Sequence, residues 1–320
     1  MDGTGCRLPN EEWLGAALGW HENQHGRVPS TRFLILFDVL HQILVDVQLH
    51  ARTMAEVTIA APLIETLPTD VLALYDRGFG SSAIPYLPLR YGSHCVIRLR
   101  TGFNPAVVDF VQSREKERLV TSCLSEGAAR SLRRLGYVVS RKEPIPYRLI
   151  RVDLPGGEVE VLLTTLTHRQ RYPYRHFGAL YRQRWGVETA IFVLKNEFQA
   201  AVFARYTLPA VAQEIWALFA MYNLQSILIR AQQRELNQIR QGRQYACPIN
   251  RNVTIGWIKR HLPDLFLDEV KSWYARLKAL HKEMIRYLEP IRPRPARMRK
   301  SRGMRSPERH YYEPNYKPTL

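Results

Sequence analysis

Tyr181, Arg184, Glu188 and Lys195 stand at offsets of 0, 3, 7 and 14 in the segment YRQRWGVETAIFVLK. On a helix turning about 100° per residue, these four side chains point within roughly 60° of one another. They lie beside the apolar face made by Leu180, Val187, Ile191, Leu194 and Phe198, not opposite it. The result is a polar stripe roughly 20 Å long, at about 1.5 Å of rise per residue, on the border of the core. One acid, two cations and a phenol so placed suit a phosphodiester. The carboxylate contributes to a divalent metal site, Arg184 and Lys195 hold non-bridging oxygens, and Tyr181 donates a hydrogen bond to another. The same spacing also describes an ordinary amphipathic helix with a surface Arg–Glu pair, and spacing alone does not separate the two.

A hard metal needs several oxygen ligands, and two-metal phosphoryl chemistry needs more than one carboxylate. Asp76 ends the apolar run VLALY and precedes Gly78 and Gly80. That places an acid at the C-terminal end of a buried strand, where α/β sheets carry their sites. An Asp at such a place can also simply begin a turn. Asp2, in DGTG, is the third candidate acid; beside an initiator Met, an Asp-Gly often belongs to a frayed end.

Other elements must bring these residues together. Residues 31–50 hold two β-rich apolar runs and read as paired strands. A helix is expected over 53–67, a strand over 71–80, a short helix over 81–90 and a strand over 94–100. IRVDLPGGEVEVLLTTL carries a Pro-Gly-Gly turn between two strand runs, so 101–167 reads as a mostly β insertion. From 173 to 199 the pattern is that of one helix, followed by helical stretches over 208–235 and 256–289. The segment 291–320 has nine Lys+Arg against two Glu, with proline throughout, and is expected to be disordered. Its interleaved Arg and Tyr suit nucleic acid as well as a solvated tail.

Composition narrows the partner. The chain has 320 residues, 46 Lys+Arg and 29 Asp+Glu, a net charge of +17. Hydrophobic residues make up 46%, enough for a substantial core and against wholesale disorder. The excess of positive charge points to a polyanion, because basic clusters gain affinity by releasing counterions from phosphates. Four widely spaced cysteines, with no C-x-x-C, argue against a zinc site or a disulfide scaffold. MDGTGCRLPN lacks the apolar run of a signal peptide. The apolar stretch 208–230 contains Glu214 and several polar residues, so it reads as a core helix and not a membrane span. A cytoplasmic protein is expected.

These motifs resemble those of a known family. Tyr181, Arg184, Glu188 and Lys195 complete the Tyr-x2-Arg-x3-Glu-x6-Lys signature of the bacterial insertion-sequence DDE transposases of the "insertion sequence four" group. DRGF at 76–79 resembles that family's segment around its second catalytic Asp, and DGTGCRLPN at 2–10 resembles the one around its first. The resemblance covers about residues 2 to 230. It implies an α/β, RNase H-like core, a mixed sheet flanked by helices, with Asp2, Asp76 and Glu188 holding two Mg²⁺ or Mn²⁺ ions. It further implies nicking at element ends and attack of the freed 3′-hydroxyl on target DNA, on a protein that is expected to be a homodimer. Arg184 and Lys195 would be phosphate clamps, Tyr181 would lie beside them, and Trp185 would stack on a base or pack.

On this reading residues 1–100 form the first part of the core and 101–167 the insertion. Residues 168–235 form the second part, 236–290 a helical region and 291–320 a basic tail. Two departures from the family stand out. Only Met1 precedes Asp2, where the family has an apolar strand and an N-terminal DNA-binding region, which suggests a mis-called start or a shortened element. No Trp lies between 77 and 180, so a base-stacking Trp carried by the insertion in some relatives has no match. The alternatives are a catalytically inactive DNA-binding remnant and a stand-alone metal-dependent nuclease.

Overall fold

The computed structural model describes residues 1–288, apart from 25, 155, 201, 233–235, 237–244, 246–247 and 268–269; over 262–267 and 270–272 it describes the backbone alone. The basic tail of 291–320 lies outside the described residues.

Two sheets carry the fold. In the first, β1 (Asp2–Arg7) and β4 (Ile43–Ala51) flank β3 (Gly26–Asp38), all antiparallel, with Asp2 opposite Ile35 and Ile35 opposite Val47. The short β2 (Trp20–Asn23) pairs with the start of β3, after α1 (Glu12–Leu18). The expected strand pair over 31–50 is thus β3 and β4. In the second sheet, β5 (Leu72–Tyr75) runs parallel to β6 (His94–Leu99). β6 is followed across the sheet by β9 (Val159–Thr164), β8 (Ile145–Asp153) and β7 (Glu117–Ser122), each pair antiparallel. The sheets meet where the amino group of Met1 donates to the carbonyl of Leu74, 2.8 Å away.

Helices pack on both sheets and bury their apolar faces. α2 (Glu56–Glu65) and α3 (Ala83–Tyr91) bury Ile59, Ile64, Ile84 and Leu87 against β5, β6, β8 and β9. A second core joins Phe33, Ile35 and Val47 to α7 (Trp185–Asn196) and α8 (Leu208–Ala231) through Val187, Leu194, Ile215 and Phe219. The side chain of Asn223 on α8 bonds both the amide and the carbonyl of Leu44, pinning α8 to the edge strand β4. This mixed α/β architecture, with helices packed on its sheets, agrees with the α/β class expected from the sequence.

Two expectations are corrected. Residues 101–167 are not mostly β, because they also hold α4 (Pro105–Ser113) and α5 (Glu126–Arg134). Both helices start at capping signals. Asn104 accepts from the amide of Val107 ahead of Pro105, and Ser125 accepts from the amide of Ala128. β9 pairs with β6, so this segment extends the core sheet. The single helix over 173–199 is instead a 3₁₀ turn (Tyr174–His176), α6 (Phe177–Arg182) and α7, with Gln183 and Arg184 between them. The stretch 256–289 is two helices, α9 (Arg251–Leu267) and α10 (Val270–Arg286). Among the described residues, no helix is long and apolar enough to cross a membrane.

Candidate active site

β1 opens on Asp2, whose Oδ1 accepts from the amide of Gly3 at 2.9 Å. Asp76 leaves the C-terminal end of β5 and precedes a 3₁₀ turn, Arg77–Phe79. Phe79 is buried and packs on the ring of Tyr75 at 5.4 Å between centroids, so the aromatic residue of DRGF anchors the loop that carries Asp76. Glu188 sits in the first turn of α7, where the helix dipole favours a negative charge.

Arg184 joins the three acids. Its guanidinium lies 3.4 Å from Asp2 and 3.9 Å from Asp76, and it pairs directly with Glu188. The arginine is 3% exposed, whereas the side chains of Asp2, Asp76 and Glu188 are 17%, 32% and 41% exposed. The site therefore runs from a buried floor at Asp2 to an open mouth at Glu188. Burial raises the Asp2 carboxyl above its ordinary value, and Arg184 and the Met1 amino group oppose that shift. Burial alone would lower Arg184, but the bond to Glu188 and the charges of Asp76 and Asp2 outweigh it, and its pKa is raised.

The remaining members of the stripe do other work here. Tyr181 is 2% exposed and donates to the carbonyl of Tyr75 at 3.1 Å, so it supports the strand end that presents Asp76. Lys195 donates to Thr4 Oγ1 at 2.6 Å and to the carbonyl of Gly5 at 2.8 Å, fastening α7 to β1. Burial lowers the Lys195 pKa. Trp185 is 59% exposed and faces solvent, as does Phe192 two turns further along α7.

A family model, the transposase DDE domain, matches residues 1–224. The chain belongs to the DDE transposases. A curated relative, the transposase InsG for insertion sequence element IS4 of Escherichia coli (strain K12), is 27% identical over 234 residues, 70% of this chain and 50% of that protein. The chain thus spans about half the length of the curated relative it matches, and the likeness to the "insertion sequence four" group rests on this DDE domain. A solved structure, the cryo-EM structure of the piggyBac transposase synaptic complex with hairpin DNA, aligns with a TM-score of 0.48 at 11% identity. That alignment covers 89% of this chain and 53% of the other.

Two residues of this candidate site escaped the sequence reading. Arg98, on β6, bonds Asp76 at 3.0 Å and Glu160 at 3.3 Å. Its place inside the strand run HCVIRLR was the available signal, a charge among apolar residues. Glu56, at the start of α2, fills the space beside Gly3 and Gly78, the residues just past Asp2 and Asp76. A Cβ at Gly3 would lie 2.5 Å from its carboxylate and one at Gly78 2.7 Å, so a larger residue at either position would make the Glu56 side chain swing away.

Three carboxylates are the hard oxygen donors that Mg²⁺ or Mn²⁺ takes, so the donor set fits in chemistry. As placed, these donors share a guanidinium, and among the described residues no three acidic, His or Cys side chains are grouped to hold a metal ion.

Proposed function

We propose that this chain catalyses DNA transposition by phosphoryl transfer, nicking DNA at element ends and joining the freed 3′-hydroxyl to target DNA. The observation that carries this reading is the convergence of Asp2, Asp76 and Glu188, remote along the chain, on one buried guanidinium. Asp2, Asp76 and Glu188 would hold two divalent ions, Mg²⁺ or Mn²⁺. When bound, such ions polarise the attacking oxygen and neutralise charge developing on the phosphate. Tyr181 and Phe79 fix the loop of Asp76, and Lys195 fixes β1 beneath Asp2. Trp185, exposed three residues before Glu188 on α7, would be available to a DNA strand that reaches the site. The net charge of +17 supports DNA as the partner. A homodimer on DNA and a cytoplasmic, nucleoid-associated location belong to the same reading.

The test is purified protein with Mg²⁺ and a duplex bearing the element's terminal inverted repeat. Nicking that disappears in Asp76→Asn and Glu188→Gln supports catalysis, and strand-transfer products separate a transposase from a nuclease. One observation favours a second reading, binding without cutting: all three acids are already engaged by Arg184. Binding of the repeat with no nicking in Mg²⁺ or Mn²⁺ establishes that reading instead.

A further inference from the structure

We propose that Arg184 is an exchangeable internal counter-ion, which competes with divalent metal for Asp2, Asp76 and Glu188 and is released to a DNA phosphate as metal enters. The inference rests on the reading of these three acids as a metal site.

The guanidinium is planar, permanently charged and able to contact several oxygens at once. Here Nη1 faces Asp2, and Nη2 serves both Asp76 and Glu188. Its position is set by these acids and not by its own helix, since Arg184 caps the N-terminus of α7, where the dipole disfavours a cation. Two features mark the contact as exchangeable. Arg184 Nε is buried with no hydrogen-bond partner, so its bonding is incomplete where it sits. The contacts to Asp2 and Asp76, at 3.4 and 3.9 Å, are long for charge-assisted bonds, and only the pair with Glu188 is tight. Glu188 is also the most exposed of the three acids. A side chain that stays with Glu188 while leaving the two aspartates would move toward the mouth, where a phosphate would lie. Asp76 retains Arg98 throughout and so keeps its orientation.

Competition for shared oxygens makes the couplings reciprocal. Without DNA, the arginine weakens metal binding. With DNA, the phosphate draws the arginine away and metal binds more tightly.

The test measures Mn²⁺ binding to the full chain by electron paramagnetic resonance of the free ion, with and without a DNA duplex. Arg184→Gln should bind Mn²⁺ about 10-fold or more tightly than the parent without DNA. The duplex should tighten Mn²⁺ binding in the parent and leave the variant unchanged. Arg184→Lys, whose single ammonium cannot reach three acids, should fall between them and serves if the glutamine variant does not fold. Mn²⁺ affinity that is unchanged or weaker in both variants, while Asp76→Asn and Glu188→Gln abolish binding, overturns the counter-ion and leaves the metal site standing. Mn²⁺ binding untouched by Asp76→Asn and Glu188→Gln overturns the metal site and the counter-ion together.

Discussion

Replacing Tyr181 by Phe removes one oxygen atom and separates two accounts of this residue. The hydroxyl is buried and donates to the carbonyl of Tyr75 at 3.1 Å, immediately before Asp76. The ring stays packed beneath β5 in the variant, so the loss is one neutral hydrogen bond with its buried acceptor left short of a partner. Such a loss costs about 1–3 kcal/mol. For a folded region of this size each kcal/mol lowers Tm by about 2–4 °C. Thermal melting and urea unfolding of the parent and Tyr181→Phe measure it, and the urea midpoint should fall with the slope m unchanged. Affinity for duplex DNA should hold, because the hydroxyl does not reach the surface. Full stability with weakened DNA binding would refute this reasoning and restore Tyr181 as a phosphate contact.

The same geometry predicts the outcome of other changes. Gly78→Ala should change stability by less than about 1 kcal/mol in urea unfolding, since the Glu56 carboxylate that its Cβ would meet at 2.7 Å ends a flexible side chain that can turn aside. Lys195→Met should free β1, read as faster alkylation of Cys6, a buried thiol in that strand whose pKa burial pushes up to about 12. In the parent, with Cys247 replaced by Ser, Cys123 should react first because it is exposed, while Cys6 and Cys95 are buried. The buried Lys195 has a lowered pKa, so the native state sheds its proton before the unfolded state does. Its desolvation cost is therefore present at neutral pH and fades as pH rises toward the ordinary lysine value of 10.5. The stability advantage of the parent over Lys195→Met should grow over that alkaline range, and a difference independent of pH would contradict the assignment.

The acids were legible in the sequence because each sits at a recognisable boundary. Asp76 ends an apolar run, and Glu188 enters an amphipathic helix. Asp2 begins a strand whose partner was visible only as the apolar pattern of β3. The helix break was not legible. Amides of Gln183, Arg184, Gly186 and Val187 each bond the carbonyl three residues back, at 2.9–3.1 Å. Three residues per turn, in place of 3.6, change the rotation of α6 relative to α7. The stripe drawn at a uniform 100° per residue therefore splits. Arg184, Glu188 and Lys195 keep to the border of β1, while Tyr181 turns beneath β5. Arg98 and Glu56 were hidden for a different reason, since their roles depend on pairing between strands and on side chains missing from glycines. Arg184, one of the two cations expected to clamp phosphate, points inward for an electrostatic reason. Asp2, Asp76 and Glu188 place three negative charges beside one another, and a fold that gathers them must supply positive charge close by. Arg184 and Arg98 supply it here. The same neutralisation that lets the acids assemble makes the arginine a rival of any ion they bind.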